Sequence, residues 1–525
     1  LEIVRGHVTR GERARDCAAS ADERTGEVAS GVEHRPVERR ARLWLVFAAG
    51  ATVLLGALLL QISHGPWGRE RRPDIIVLLV DSLRADYLGC YGFRGDTSPA
   101  LDSLASESIV FDNAIAPAPW TKPSVASIFT SLDPLSHRVL DHDLQFWQAA
   151  SASEKTDTLS DEAWTLAEGL ADLGYETAAW VANPWIDDPR FGFGQGFADY
   201  HATPAQNADQ ILQEIQRWLE RPPADPKDDR PRFVYAHFMD VHGPYQSTPE
   251  VLSRLVADPS LGEDRLLDAK EHFDLGYLAI GSPWKDTEQG NHLRSWRAAY
   301  AASVRLLDDR LGPFLEWLRT SERGKRAVLV FTSDHGEDLL EHGRWSHGFA
   351  PTLFQHSIRI PMIVRLPGAI GEGRRDDRMT SLFDVMPTLL SLAGRPEVPD
   401  GLEGRVLLDR RGRPTAEDRA WSFSGAVCDN PHMVSIQDRD YKLIWEFPDG
   451  PMTLYDLRHD PAEATDLASR EPGAPDRSLD EVRRTMAQAL TDRIQGLRAR
   501  PSLLKRTAGL DSEAMSRLRA LGYAH

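Results

Sequence analysis

Three apolar runs in this chain end on residues able to do chemistry. "IIVLLVD" closes on Asp81, "VLVFTSDHGE" on Asp334 and His335, and "FVYAHFMDVHGPY" on Asp240 and His242. Runs of this kind are strands, and in open α/β sheets ligands bind beyond the carboxyl ends of the strands. An unpaired carboxylate is costly to bury, and neighbouring strand tips would bring several close together. A divalent cation removes both penalties. Asp81, Asp334 and His335 offer two hard oxygens and one imidazole, a donor set suited to zinc or manganese, with calcium or magnesium as the harder alternatives. A single Asp after a strand is more often a turn or helix cap than a ligand, and nothing lifts Asp240 above that. The adjacent pair Asp334-His335 is harder to explain as capping alone.

A second group lies in "PAPWTKPSVASIFTS", Pro117 to Ser131. Thr121 stands directly before a stretch with apolar residues at helical spacing and an early Pro123, which makes it a candidate helix N-cap. The same position suits a nucleophile. A helix N-terminus concentrates unpaired N–H groups and positive dipole, so it holds an anion against the Thr121 hydroxyl, and a nearby cation would lower the pKa of that hydroxyl. Both readings are open from the residues alone. His242 and His347, each taken singly, are more often loop histidines with a hydrogen-bond partner than catalytic groups.

The elements that must position these residues alternate along the chain from Pro73 onward. Strands are expected at Ile75–Val80, Thr177–Ala182, Phe233–Met239, Ala327–Ser333 and Pro361–Leu366, with helical periodicity between them. That order predicts an α/β fold, a mainly parallel sheet with helices on both faces. "DEAWTLAEGLADLG" ends on a capping glycine, "NADQILQEIQRWLE" repeats apolar residues at helical spacing, and an amphipathic stretch from Ser295 to Thr320 carries Gly312-Pro313, the expected place for a kink. After Gly394 the pattern changes. "VSIQDRDYKLIWEF" reads as a hairpin turning at Asp438–Asp440 and "LYDL" as a further strand, so a small C-terminal α+β subdomain is expected. Pro249 to His292 fits no strand and reads as a long insertion of the kind that forms lids.

With 525 residues the chain has room for one large core and an appendage. Its formal net charge of −18 argues against nucleic acid as a partner. Three cysteines are too few and too scattered for a disulfide framework or a thiolate zinc site. "LWLVFAAGATVLLGALLLQI", Leu43 to Ile62, is uncharged throughout, and a bilayer core takes about 20 such residues. The expectation is a single-pass membrane anchor behind a disordered basic tail, with everything after it periplasmic or extracellular. The domains expected are therefore residues 1–42 as tail, 43–62 as anchor, 73–394 as catalytic domain and 395–525 as C-terminal subdomain with a helical tail.

Taken in order, "DIIVLLVDSLRADYLGCYG", "APWTKPSVASIFTSLDP", "HFMDVHGPY", "SDHGEDLLEHGRWSHG", "SLFDVMPTLLSLAG" and "LYDLRHDPAE" resemble the sulfatase-like branch of the alkaline phosphatase superfamily, from about Pro73 to Ala468. The resemblance implies one divalent metal at Asp81, Asp334 and His335, a nucleophile at Thr121 that also touches the metal, and substrate-oxygen contacts from His242 and His347, the latter assisting the leaving group. It also shows departures. Formylglycine-dependent sulfatases carry C-x-P-x-R or S-x-P-x-R, whereas this chain has Thr121-Lys122-Pro123-Ser124-Val125, without the convertible residue or the arginine. His335 stands where calcium-dependent members have Asn, which again favours zinc or manganese. The expectation is a membrane-anchored, metal-dependent hydrolase of sulfate or phosphate esters, on a glycan, a lipid head group or a small molecule. The alternatives are a phosphoryl head-group transferase acting on lipid or glycan, and a catalytically silent binding protein on the same fold.

Overall fold

Ile75–Val80 is six consecutive aliphatic residues with no exposed position, the pattern of a strand covered on both faces. It is the centre of the sheet in a computed structural model that describes residues 72–140, 155–267, 291–347, 352–426, 432–469 and 477–500, with 503, 506–509, 512 and 516, and without 205, 224, 226–228, 263, 396 and 398. The sheet is built from β1 (Ile75–Val80), β2 (Ile109–Ile115), β3 (Glu176–Val181), β4 (Asp199–Ala202), β5 (Arg232–Phe238), β6 (Val328–Ser333), β7 (Arg359–Ile360), β8 (Met362–Arg365) and β9 (Arg374–Ser381). Their order is β7-β2-β8-β6-β1-β5-β3-β4, with β9 paired to β2. β1 runs parallel to both β5 and β6, and β3 parallel to β5 and β4. The tips of β1, β3, β5 and β6 therefore emerge on one edge.

Alternation along β1 separates two cores. Ile75, Val77 and Leu79 face one set of helices: α1 (Pro99–Ser106) is not among them, but α2 (Thr121–Thr130) contributes Val125, Ile128 and Phe129, α3 (Leu166–Asp172) contributes Leu166 and Leu170, and both pack there. Ile76, Leu78 and Val80 face the other, with Leu101 and Leu104 of α1, Ile211 and Ile215 of α4 (Ala208–Glu220), and Leu307 and Leu311 of α5 (Leu293–Thr320). The local signals explain these helices. Thr165 with Glu168, and Asn207 with Gln210, form capping boxes at the starts of α3 and α4. Gly174 takes φ +83° just beyond α3, as the sequence predicts.

The fold is the expected α/β class, with differences in detail. β8 is antiparallel to β6, so the sheet is mainly rather than wholly parallel. β2 escapes a pattern search because Asp112 and Asn113 interrupt its apolar run; Asn113 donates to the Asp377 carbonyl. Pro313 lies inside α5, which continues past the expected kink between buried Leu311 and buried Phe314 and Leu315. The expected insertion opens with a helix, Pro249–Val256, capped by Thr248, and residues 268–290 of it lie outside those described. The C-terminal subdomain is an antiparallel sheet of β10 (Ser422–Ala426), β11 (His432–Gln437), β12 (Tyr441–Phe447) and β13 (Met452–Asp456). Asp438 closes the predicted hairpin by accepting from the N–H groups of Asp440 and Tyr441, each at 2.7 Å. A C-terminal helix, Arg477–Ala499, covers the sheet through Met486, Leu490 and Ile494.

The expected membrane localisation is corrected. Among the described residues no helix is long and apolar enough to cross a membrane. The apolar segment Leu43–Ile62 and the tail before it lie outside the described residues. Within them the long helix, α5, carries charged side chains such as Arg305, Asp309 and Arg319 along its length, which suits a face against water.

α5 also caps α1. Asp308 accepts the N–H groups of Ala100 and Leu101 through its two oxygens, each at 2.8 Å. Asp308→Ala should therefore cost about 0.5–2 kcal/mol of stability, the usual worth of such a cap, with turnover unchanged. Urea unfolding with a parallel activity assay measures both.

Candidate active site and metal centre

The parallel register places Asp81, Asn183 and Asp334 just beyond the ends of β1, β3 and β6, and His237 at the penultimate position of β5, opposite Leu79. All four side chains are fully buried. One Asp81 oxygen, Oδ2, accepts from Asn183 Nδ2 at 2.6 Å and from Thr121 Oγ1 at 3.2 Å, and faces His237 Nε2 at 3.1 Å. The other, Oδ1, accepts from Ser82 Oγ at 2.9 Å. Burial opposes ionisation of Asp81, but the His237 hydrogen bond and the nearby His242 and His335 rings hold it well below the ordinary carboxylate value.

Asp334 is the opposite case. Its Oδ1 accepts the His335 N–H at 2.9 Å and the Ser82 N–H at 3.3 Å, while Oδ2 is buried with no hydrogen-bond partner. Burial, with the Asp81 charge beside it, pushes its pKa up to about 8. His335 donates Nδ1–H to the Gly336 carbonyl at 2.8 Å, which leaves Nε2 as the lone-pair nitrogen; that atom is 3.5 Å from both Asp81 Oδ1 and Asp334 Oδ2. Ligand atoms from Asp81, Asp334 and His335 all lie within 4.8 Å of one another. An orphaned carboxylate oxygen, two carboxylates forced together and an imidazole turned to present Nε2 are what a divalent cation would satisfy. The residues fit the group that the sequence implies.

Thr121 does not cap its helix. It is the first residue of α2, Trp120 precedes it in extended conformation, and no side chain caps that end. The hydroxyl turns instead into the site, 3.2 Å from Asp81 Oδ2 and 3.4 Å from His335 Nε2. Pro123 thereby falls at the third helical position, where its missing N–H is not needed. Lys122, next in sequence, is fully buried and turns elsewhere, donating to Thr156 Oγ1 and lying 5.3 Å over the Trp185 ring.

His242 and His347 reach the same place. Their rings are 5.0 Å apart, His347 is 4.3 Å from the His335 ring, and both offer ligand atoms within 4.8 Å of an Asp81 oxygen. His242 donates Nδ1–H to the Gly243 carbonyl at 2.6 Å; His347 Nδ1 lies 3.0 Å from Glu337 Oε1 and 3.4 Å from Ser82 Oγ. Burial lowers His242 to about 4 and His347 to about 3, and raises Glu337 to about 8. Asp240, two residues from His242, is not part of this group. It accepts the Ala208 N–H at 3.0 Å and Arg310 Nη1 at 2.5 Å, and so caps α4.

Asp81, Thr121, Asp334, His335, His242 and His347 thus come together, although they span 267 positions of chain from Asp81 to His347, counting both ends. Ser82, Asn183, His237 and Glu337 were not foreseen. Asn183 was within reach of the strand-end argument applied to one more strand, since it follows the "TAAWVA" run directly. His237 was hidden inside an apolar run. Ser82 and Glu337 follow a ligand candidate by one and two residues, and their φ value of +60° and raised pKa have no sequence signature.

A mainly parallel α/β sheet with these groups on its carboxyl edge and an antiparallel C-terminal subdomain is the architecture of the alkaline phosphatase superfamily. Residues 73–395 match the Sulfatase family model, and residues 341–495 match the model for the N-sulphoglucosamine sulphohydrolase C-terminal region. The chain belongs to the sulfatase family and is by that membership a hydrolase of sulfuric or phosphoric esters. It is 25% identical over 500 residues to an arylsulfatase of Clostridium perfringens, covering 83% of this chain and 98% of that one. It is 26% identical over 468 residues to a choline-sulfatase of Rhizobium meliloti, covering 80% and 87%. Its fold is similar to that of a phosphonate monoester hydrolase of Agrobacterium radiobacter, with a TM-score of 0.62, 22% identity, and 84% and 97% of the two chains covered.

Asp334→Ala should abolish retention of a divalent metal through chelator dialysis, with the secondary structure intact. Elemental analysis and circular dichroism of wild type and variant provide the comparison, and equal metal content in the two would remove Asp334 from the ligand set.

Proposed function

We propose that this protein hydrolyses sulfate or phosphate esters through Thr121, with a divalent metal, zinc or manganese, held by Asp81, Thr121, Asp334 and His335. The observation that carries this reading is the turn of the Thr121 hydroxyl away from capping its helix and into the buried Asp81–His335 group. The cation that these residues would hold would supply positive charge to lower the pKa of that hydroxyl and to offset charge on the substrate oxygens. The named sulfatases and the phosphonate monoester hydrolase among its relatives and structural neighbours support an ester of sulfur or phosphorus as substrate.

Thr121 Oγ bonds to sulfur or phosphorus as the bond to the leaving oxygen breaks, and its own proton leaves to solvent. The N–H groups opening α2 receive the non-bridging oxygens. Asn183, on Asp81 and 3.4 Å from Thr121 Oγ1, holds the hydroxyl in line. His347 stands on the leaving-group side, and His242 contacts a substrate oxygen. Burial keeps the Glu337 carboxyl protonated, so it donates to His347 Nδ1 and the His347 proton sits on Nε2, from where it passes to the departing oxygen and is replaced from solvent. Water then cleaves the ester on Thr121, restoring the hydroxyl and releasing sulfate or phosphate. No formylglycine is formed, because the nucleophile position carries threonine.

Thr121→Ala should abolish turnover, while Thr121→Ser, which keeps the hydroxyl, should retain a measurable part of it. Rapid quench with a slow substrate should leave a phosphorylated or sulfated peptide spanning Pro117 to Ser131 in wild type and none in Thr121→Ala. An active alanine variant would overturn the assignment. His347→Ala should slow esters of basic leaving groups about 10²-fold or more while sparing activated aryl esters, the signature of lost help to the leaving oxygen. Parallel kcat/KM series over leaving groups of graded pKa give the comparison.

A further inference from the structure

The motif "LYDLRHDPAE" plays no part in the chemistry above, yet its last residue is tightly constrained. Glu463 is 2% exposed and holds φ +54°, a left-handed conformation that costs a side-chain-bearing residue energy and persists only where the surroundings enforce it. Its Oε1 lies 2.8 Å from the ammonium of Lys442, which is fully buried in β12. Its Oε2 accepts the N–H of Gln355 at 2.6 Å.

Gln355 opens a one-turn helix, Gln355–Ile358, and this turn is the backing of the loop that follows β6. The Ser357 carbonyl accepts the Gly336 N–H at 2.8 Å and the His356 carbonyl accepts the Glu337 N–H at 3.0 Å. His356 Nε2 is hydrogen-bonded to Asp338. At Gly336 the approach is so close that a Cβ would stand 1.9 Å from the His356 carbonyl oxygen, so no other residue fits there without moving the turn. The contacts are backbone to backbone, and they begin one residue after His335. A continuous path therefore runs from a buried ion pair in the C-terminal subdomain, through residues 355–357, to the loop bearing Asp334, His335 and Glu337.

We infer that Glu463 is a positioning residue: held by Lys442, it anchors the Gln355–Ser357 turn and so fixes the loop that presents Asp334 and His335 to the metal. This rests on the metal-ligand reading of those two residues. An ion pair serving only the subdomain core would not need its second carboxylate oxygen on Gln355, and apolar residues of similar volume fill such buried places as well or better.

One substitution isolates the link. Gln355→Pro removes the N–H that Glu463 accepts; proline is well tolerated at the first position of a helix, and Phe354 already has the extended ψ of +162° that a residue before proline prefers. Gln355→Ala keeps the N–H and loses only the side-chain bond to Gln437, so it is the control. Metal affinity of the full chain, measured by competition between a chelator and added Mn²⁺ or Zn²⁺, should fall about tenfold or more in Gln355→Pro and stay at the wild-type value in Gln355→Ala. Excess metal should restore the lowered kcat of the proline variant with KM little changed. A folded Gln355→Pro with wild-type metal affinity overturns the inference. If that variant does not fold, Lys442→Met/Glu463→Met, which removes the pair and the acceptor together, gives the same readout, and unchanged metal affinity there overturns it equally. Wild-type protein that binds neither metal refutes the ligand reading itself, a result distinct from variants that bind as well as wild type.

Discussion

Two carboxylates at the ends of adjacent parallel strands set the terms for this protein. Asp81 and Asp334 are both fully buried, and the pairing of β1 with β6 in register leaves them no way to separate. The surroundings treat them unequally. Asp81 has four hydrogen-bonding neighbours, Ser82, Thr121, Asn183 and His237, whereas one oxygen of Asp334 has none. The ionised form is supported at the first and opposed at the second. A sheet that did nothing with this pair would gain by replacing one of them, since an uncompensated buried charge costs several kcal/mol. The arrangement is what the cation of the proposed reading would stabilise, since it would sit between the two carboxylates and the His335 imidazole.

The fold is organised to keep that pair dry and fixed. β1 has aliphatic side chains on both faces, each face is closed by its own helices, and the edge that carries the acids is roofed by α2 and by the loop from Asp334 to His347. That loop is held from two sides. Arg84 donates to the Glu337 carbonyl and to Glu341, and the Gln355–Ser357 turn takes the N–H groups of Gly336 and Glu337. Rigid support of this kind matters to any site at this edge, because groups misplaced by about an ångström lose much of their value in a preorganised site.

What the sequence made legible follows from physical scale. β1 and β6 could be read almost to the residue because buried parallel strands are unbroken apolar runs, and the residue after such a run is at the site by geometry. Asp81, Asp334 and His335 came from that argument. Thr121 was readable as two things at once, and only the hydroxyl's direction separates them. β2 and β9 were not legible, since polar residues such as Asp112, Asp376 and Asp377 break their alternation where neighbouring chain satisfies them. His237 and Glu337 were hidden for the converse reason: an imidazole inside an apolar run and a carboxyl in an acidic stretch look ordinary until partners from other strands are in place. The apolar segment Leu43–Ile62 lies outside the described residues, and among the described residues no helix is long and apolar enough to cross a membrane.

The first turn of α2 bears on how a substrate anion would be met. Where formylglycine-dependent sulfatases have an arginine, this chain has Val125, fully buried in the core beneath the sheet. Lys122 turns toward Thr156 and Trp185 rather than toward Asp81. Among the described residues, the side chains converging around Thr121 are carboxylates, imidazoles, an amide and hydroxyls. On the proposed reading, positive charge at the reacting centre then comes from the end of α2 and from the cation, not from a guanidinium. A single cation between two carboxylates is close to neutral overall, so binding of the anion draws on local field and hydrogen-bond geometry more than on net charge. That makes the exact placement of Asp334 and His335, and of whatever holds them, the quantity on which this site depends.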